Sequence, residues 1–172
     1  MTKSTDTAMT VFKSRVAVSC HPVLARHWRD IVELEKDYER PLDVRWVKKT
    51  VHDQRAYAFV AEFDGMVVGW CLWKRDDLGI ELLHLVVDRR YRRMSVGRQI
   101  VDELKRRLTT KARRIVAMVR ETNDEAIAFF SSKEEYGGIG FKGVGVVRFS
   151  REAYEDEPYV DDYQFEYTIG RN

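Results

Sequence analysis

The apolar positions of the chain change period several times, and each change marks an element. Lys13 to Cys20 (KSRVAVSC) alternates enough for an opening strand. From Pro22 to Tyr38 the spacing of Val23, Leu24, His27, Trp28, Ile31, Val32 and Leu34 predicts a helix with proline at its start. Pro41 opens a second helix with Leu42, Val44, Trp46 and Val47 ahead of Val51. Ala56–Phe63 and Met66–Trp73 are β-rich runs joined by Asp64-Gly65, a strong hairpin signal. Ile80–Val87 (IELLHLVV) follows as a third run.

From Ser95 the period is helical again, with Val96, Ile100, Val101, Leu104 and Leu108 on one side and Arg98, Lys105, Arg107 and Lys111 left to solvent. Ile115–Val119 reads as a short buried strand. Asn123-Asp124-Glu125 caps a helix from Ala126 to about Glu135, and glycines at 137, 138 and 140 end it. Phe141–Phe149 and Tyr163–Ile169 are closing strands, joined by the acidic segment REAYEDEPYVDD. The order β-α-α-β-β-β-α-β-α-β-β predicts an α/β domain on one mixed, largely antiparallel sheet. Residues 1–12 are polar and expected to fray, leaving a single domain over residues 13–172.

Composition narrows the function. The chain has 172 residues, 44% hydrophobic and 34% charged, which suits one globular domain with a full core. A net charge of +2 argues against polyanion binding through bulk charge. No apolar run reaches the length of a membrane span, and the N-terminal stretch has no signal-like apolar core. Cys20 and Cys71 stand alone, without metal-ligand spacing. A cytoplasmic protein with no metal is the expectation, and its oligomeric state, a homodimer included, is open.

Charge is unevenly placed. Arg89–Arg114 holds eleven Lys/Arg against two Asp/Glu, whereas Arg151–Asn172 holds seven acids against two bases. The basic run reads either as a phosphate-binding surface or as a solvated helix face. Working as a nucleic-acid module, it would lack the aromatic-rich motif such modules carry.

The chemistry centres on Leu85-Val86-Val87-Asp88-Arg89-Arg90-Tyr91-Arg92-Arg93-Met94-Ser95-Val96-Gly97-Arg98. A buried strand ends there and a helix begins with a small residue and glycine in its first turn. Unpaired N–H groups and the positive end of the helix dipole favour an anion, and glycine lets it approach the backbone. Physically this is a pyrophosphate cradle, or else a simple glycine turn with solvated arginines.

The run Arg92-x-x-Ser95-x-Gly97 resembles the acetyl-CoA motif of the GNAT N-acetyltransferases, Gln/Arg-x-x-Gly-x-Gly/Ala. Val119-Arg120-x-x-Asn123-x-x-Ala126-Ile127 and Gly140-Phe141 match the family further on, and the element order resembles it from about residue 13 to 169. Within the family the chain is similar to the protein N-terminal (ribosomal-protein alanine) acetyltransferases, except that Met118 stands where those carry a glutamate.

The resemblance implies a mixed, mostly antiparallel sheet of about seven strands, splayed after the fourth, with four helices. It implies transfer of an acetyl group from acetyl-CoA to a primary amine: a protein N-terminus, a lysine or a small cationic amine. A noncatalytic acetyl-CoA-binding domain of the same fold is the alternative. By resemblance the cofactor lies against Leu85, Val86 and Val87, the turn Arg92, Arg93, Met94, Ser95, Val96, Gly97 and Arg98, then Asn123 and Phe130. Ser95 replaces a usual glycine, which either weakens CoA binding or supplies a helix cap and a phosphate donor. Asn123 reads as a pantetheine contact, a helix cap, or both.

Attack by an amine needs a proton acceptor, and the departing thiolate needs a donor. Glu81 lies six residues before Val87, so a regular strand would set both on one face and His84 on the other. Glu81 is the candidate base, or a surface carboxylate. A family tyrosine falls at Phe130 when counted from Asn123, but at Tyr136 when counted back from Gly140-Phe141. Tyr136 is therefore the candidate acid, or a packed helix-end residue. The acids of Glu152–Asp162 suit a cationic acceptor, or simply keep a loop soluble.

Overall fold

The computed structural model describes residues 15–38, 41–133, 138–148 and 161–170. Seven strands form one sheet in the order β1-β2-β3-β4-β5-β7-β6. They are β1 (Ser19–Pro22), β2 (Tyr57–Phe63), β3 (Met66–Arg75), β4 (Gly79–Val87), β5 (Arg114–Arg120), β6 (Lys142–Val147) and β7 (Asp162–Thr168). Among the described residues there are four α-helices: α1 (Trp28–Lys36), α2 (Val44–His52), α3 (Val96–Lys105) and α4 (Asp124–Ser131). All neighbouring strands are antiparallel except β4 and β5. The mixed, mostly antiparallel α/β class expected from the sequence is therefore the one found.

Some boundaries move. The opening strand is confined to Ser19–Pro22, and Pro22 ends it rather than starting a helix. This strand lies at the sheet edge, where proline's missing N–H does little harm. Helix α1 begins only at Trp28, after a single 3-10 turn at Ala25–His27. Leu24 and Val32, expected on the apolar stripe, are exposed. Asp43, not Pro41, sets the start of α2, its carboxylate accepting the Arg45 N–H at 2.8 Å. Helix α4 stops at Ser131 instead of near Glu135.

Two cores sandwich the sheet. Val96, Ile100, Val101 and Leu104 of α3 pack with Phe59, Trp73, Leu82, Ile115, Ala117, Phe130 and Phe165. On the opposite face Ile31, Leu34 and Val47 cover Val60, Trp70, Leu72 and Val86. The second core spans only β2–β4, so that face of β5 and β7 has no helix over it among the described residues. In β5 alternation is regular: Ile115, Ala117 and Val119 are buried, while Arg114, Val116, Met118 and Arg120 on the uncovered face are half-buried.

Strand β4 breaks that rule. Its partners on β3 run Trp73↔Leu82 and then Leu72↔His84, so Leu83 is an extra residue without a partner. Such a bulge shifts side-chain parity by one. Ile80, Leu82, Leu85 and Val87 thus belong to the α3 core, while Val86 belongs to the α1 core. By the same pairing Glu81, opposite Lys74, and His84, opposite Leu72, share the α1 face. The expectation that Glu81 and Val87 share a face is overturned, because the strand is not regular between them.

Candidate active site

The sheet opens beside the bulge. Pairing between β4 and β5 runs from Gly79↔Arg114 to Leu82↔Ala117 and stops, although β4 continues to Val87 and β5 to Arg120. The splay expected after the fourth strand is present. It leaves the β5-facing backbone of Leu83–Val87 without a neighbouring strand. Val87's carbonyl accepts the Arg92 Nε–H at 3.2 Å, while Val86 turns its side chain into the α1 core. Leu85 and Val87 are partly buried at the border of the α3 core.

Directly after β4 the chain turns into α3. Asp88 accepts the Arg90 N–H at 2.8 Å and binds the Arg90 guanidinium at 2.7 Å. Arg90's hydrogen bond is the main reason that the Asp88 carboxyl titrates below its ordinary value. Arg93 and Ser95 both lie in the left-handed region, at φ 66° and 69°. Ser95 makes no side-chain cap bond, so the capping role open to it in the sequence is excluded; its conformation explains why glycine is usual there. The first helical hydrogen bond is Gln99 N–H to Ser95 O, which leaves the N–H groups of Val96, Gly97 and Arg98 ahead of the ladder.

Gly97 faces a narrow cleft. A Cβ there would come within 3.4 Å of the Phe129 ring and 3.7 Å of Val87 Cγ2, so anything larger than a methyl would fill the space between α3 and α4. The glycine thus lets the first turn of α3 lie close against the Phe129 ring. Met94 O accepts the Val16 N–H at 3.2 Å, and the Gln99 side chain bonds the backbone of Val16 and Val18. The turn is thereby laced to the segment preceding β1.

The other cofactor candidates divide. Arg92 reaches Glu125 on α4 at 2.9 Å, joining the turn before α3 to α4. Arg98 lies 3.6 Å from Asp102. Val96 is a core residue, and only its backbone belongs to the turn. Asn123 caps α4, accepting the Ala126 N–H at 3.1 Å. Phe130 is buried against Phe129, Phe141 and Phe165, so it serves the core rather than the cleft. Phe129, which sequence reasoning passed over, is the ring beside Gly97. Tyr136 and the acids at 152–160 lie outside the described residues. Much of the basic run is locally paired: Arg106 and Arg107 with Glu103, and Arg114 with Glu166.

Across the sheet, on the uncovered face, Glu81, Arg114, Val116, Met118 and Gln164 line a shallow cavity of about 240 Å³. Glu81 is paired there with Lys74 at 2.8 Å. His84 lies higher up β4 and meets Glu35, whose carboxylate is 2% exposed as a residue. Glu35 Oε1 accepts from His84 Nε2 and Trp70 Nε1, both at 2.9 Å, and Oε2 accepts the Leu42 N–H at 2.7 Å. The sequence held a signal for this: Ile31, Leu34, Glu35 and Tyr38 occupy successive stripe positions of a helix, so a carboxylate stands where an apolar residue belongs.

At the opposite sheet edge His21, His27 and Glu62 bring ligand-type atoms within 4.8 Å of one another. His27 Nδ1 accepts the Leu24 N–H at 2.9 Å, which puts the proton of the neutral ring on Nε2, facing Glu62. A nitrogen holding that proton cannot ligate a metal. Burial, assisted by Arg26, holds the His27 pKa below its ordinary value and keeps the ring neutral.

Comparison with known proteins agrees with this geometry. No curated protein matches the chain by sequence. Among solved structures it is similar to the ribosomal-protein-S18-alanine N-acetyltransferase of Escherichia coli, with 17% identity, 91% of this chain and 96% of that chain covered, and a TM-score of 0.69. NAA60 of Arabidopsis thaliana, solved with a bisubstrate analogue, aligns at 16% identity over 89% and 98% of the two chains, with a TM-score of 0.69. The ribosomal-protein-alanine N-acetyltransferase of Brucella melitensis aligns at 18% identity over 88% and 99%, with a TM-score of 0.64. At these identities the likeness is one of fold. The model of the acetyltransferase (GNAT) family matches residues 21–133, most of the chain and all of the β4–α3 turn, and the protein belongs to that family.

Proposed function

We propose that the protein transfers the acetyl group of acetyl-CoA to a primary amine by direct attack. The observation that carries this reading is the splay: β4 loses its β5 partner after Leu82, and its unpaired end, Leu83–Val87, leads into the anion-ready turn at Ser95–Arg98. A thioester lying along the open edge would have its pyrophosphate at the N–H groups of Val96–Arg98 and its pantetheine beside Leu85 and Val87. Asn123, Arg92 and Phe129 border the same cleft from α4 and the turn. Acetyl-CoA supplies the activated acyl group.

The amine approaches from the uncovered face of β5, where Glu81 and His84 are the titratable groups of β4. A backbone N–H at the open edge would stabilise the oxyanion of the tetrahedral intermediate. The acids of Glu152–Asp162 favour an ammonium-bearing acceptor such as a protein N-terminus, lysine or polyamine.

The test is release of free CoA from acetyl-CoA with a panel of peptides bearing free N-termini, lysine and polyamines. Release that depends on the amine, with a matching mass gain of one acetyl group, supports the reading. Binding of acetyl-CoA without release for any amine refutes catalysis and leaves the noncatalytic alternative.

A further inference from the structure

We propose that His84 is the general base of the transfer and that Glu35 positions it. The inference rests on the acetyl-transfer reading above and adds the residue that handles the proton.

Three observations carry it. The first is place: β4 and β5 part after Leu82↔Ala117, and His84 is the first residue past the Leu83 bulge. Its side chain lies on the α1 face, opposite the face that holds the cofactor turn. The bulge is what puts it there.

The second is proton placement. Glu35 is a carboxylate and only accepts, so the 2.9 Å contact makes His84 Nε2 the donor. In the neutral ring Nδ1 is then a lone pair. Among the described residues the ring's hydrogen bond is the one from Nε2, no group donates to Nδ1, and the side chain keeps about 9% of its surface exposed. A carboxylate on one nitrogen and an unengaged lone pair on the other is the arrangement in which imidazole abstracts a proton.

The third is rigidity. Trp70 and the Leu42 backbone hold the carboxylate, and the rings of Trp70 and Tyr38 hold the imidazole, with centroids at 5.3 and 5.1 Å. The groups around His84 are thus Glu35 and Tyr38 from α1 and just beyond it, Trp70 from β3, and on β4 Glu81 with its partner Lys74. From β5 the same face presents Met118 and Arg120.

Glu81 is placed less well for this task. It sits opposite Val116, inside the closed part of the β4–β5 ladder, and is already paired with Lys74.

In the step, the neutral amine attacks the thioester carbonyl and a C–N bond forms. One N–H proton passes to His84 Nδ1, and the imidazolium is stabilised by Glu35. The C–S bond then breaks and CoA leaves as thiolate. The imidazolium's proton goes to solvent, from which the thiolate is protonated.

The test uses His84→Gln, whose amide N–H can still meet Glu35 while the Nδ1 lone pair is gone. With the most active amine of the panel, kcat should fall about 100-fold or more, and the acidic limb of the kcat–pH profile should disappear. The thermal shift given by acetyl-CoA should stay at its wild-type size. Glu35→Leu, which removes the acceptor from Nε2, should lower kcat while the acetyl-CoA thermal shift keeps its wild-type size, and the ¹⁵N spectrum should no longer show the proton held on Nε2. A separate readout needs no turnover: ¹⁵N NMR of the free protein should show the His84 proton on Nε2. Wild-type kcat in His84→Gln, a retained acidic limb in that variant, or a proton on Nδ1 overturns the assignment. Absence of amine-dependent CoA release by the wild-type protein overturns the transfer reading itself, and with it this one.

Discussion

Ser95 offers a perturbation whose size follows from the backbone. At φ 69° and ψ 10° it occupies a conformation that costs an L-residue about 1–2 kcal/mol. Glycine removes that cost but gives up about 0.5–1 kcal/mol in chain entropy. Ser95→Gly should therefore stabilise the protein by about 0.5–1 kcal/mol, or about 1–4 °C in Tm at this chain length. Because Oγ makes no cap bond, Ser95→Ala should leave Tm within about 1 °C. Ser95→Val puts a branched Cβ into the same region and should lose about 1–3 kcal/mol. Thermal unfolding by circular dichroism, run on all four proteins at one scan rate, reads the series. A fall in Tm for Ser95→Gly, or an equal fall for Ser95→Ala, would mean that the hydroxyl holds the turn, and the strain argument would fail.

Other expectations follow from the same structure. Phe130→Ala removes a buried ring from the cluster with Phe141 and Phe165 and should cost about 3–5 kcal/mol, read by urea unfolding. Phe129→Ala should cost less stability and more acetyl-CoA affinity, read by calorimetric titration, because its ring borders the Gly97 cleft. His27 is held neutral when folded, with its pKa below the ordinary 6.5, so the unfolded chain binds the extra proton and stability should drop as pH falls below about 6.5. His27→Asn, which keeps an acceptor for the Leu24 N–H, should flatten that part of the Tm–pH curve; an unchanged slope would contradict it. Replacing Glu155, Asp156 and Glu157 by their amides should raise KM for cationic amines and reduce its salt sensitivity, with little change in kcat, as measured across ionic strengths.

The sequence made the element order legible because most elements announce themselves: the Asp64-Gly65 hairpin, the α3 stripe from Val96 to Leu104, the Asn123 cap. What it hid was parity. IELLHLVV is apolar almost throughout, so no alternation betrays the extra residue at Leu83, and a count of six from Glu81 to Val87 led to the wrong face. Pro22 looked like a helix start because proline suits that position, yet it equally suits an edge strand. Phe129 and Phe130 are adjacent, and only their packing tells which ring faces the cleft. The β4–α3 turn was readable from a local motif, whereas the His84–Glu35 pair joins residues 49 positions apart and needed the fold.

The central claim is that acetyl-CoA binds in the turn between β4 and α3. Its most direct test is an acetyl-CoA titration of the wild-type protein and of Gly97→Glu, followed by thermal shift. The wild type should be stabilised by about 2.7 kcal/mol at ligand 100-fold above Kd. A folded Gly97→Glu protein should show no shift, because its added side chain fills the cleft beside Phe129 and repels phosphate. Equal shifts in the two proteins, or none in the wild type, would contradict it.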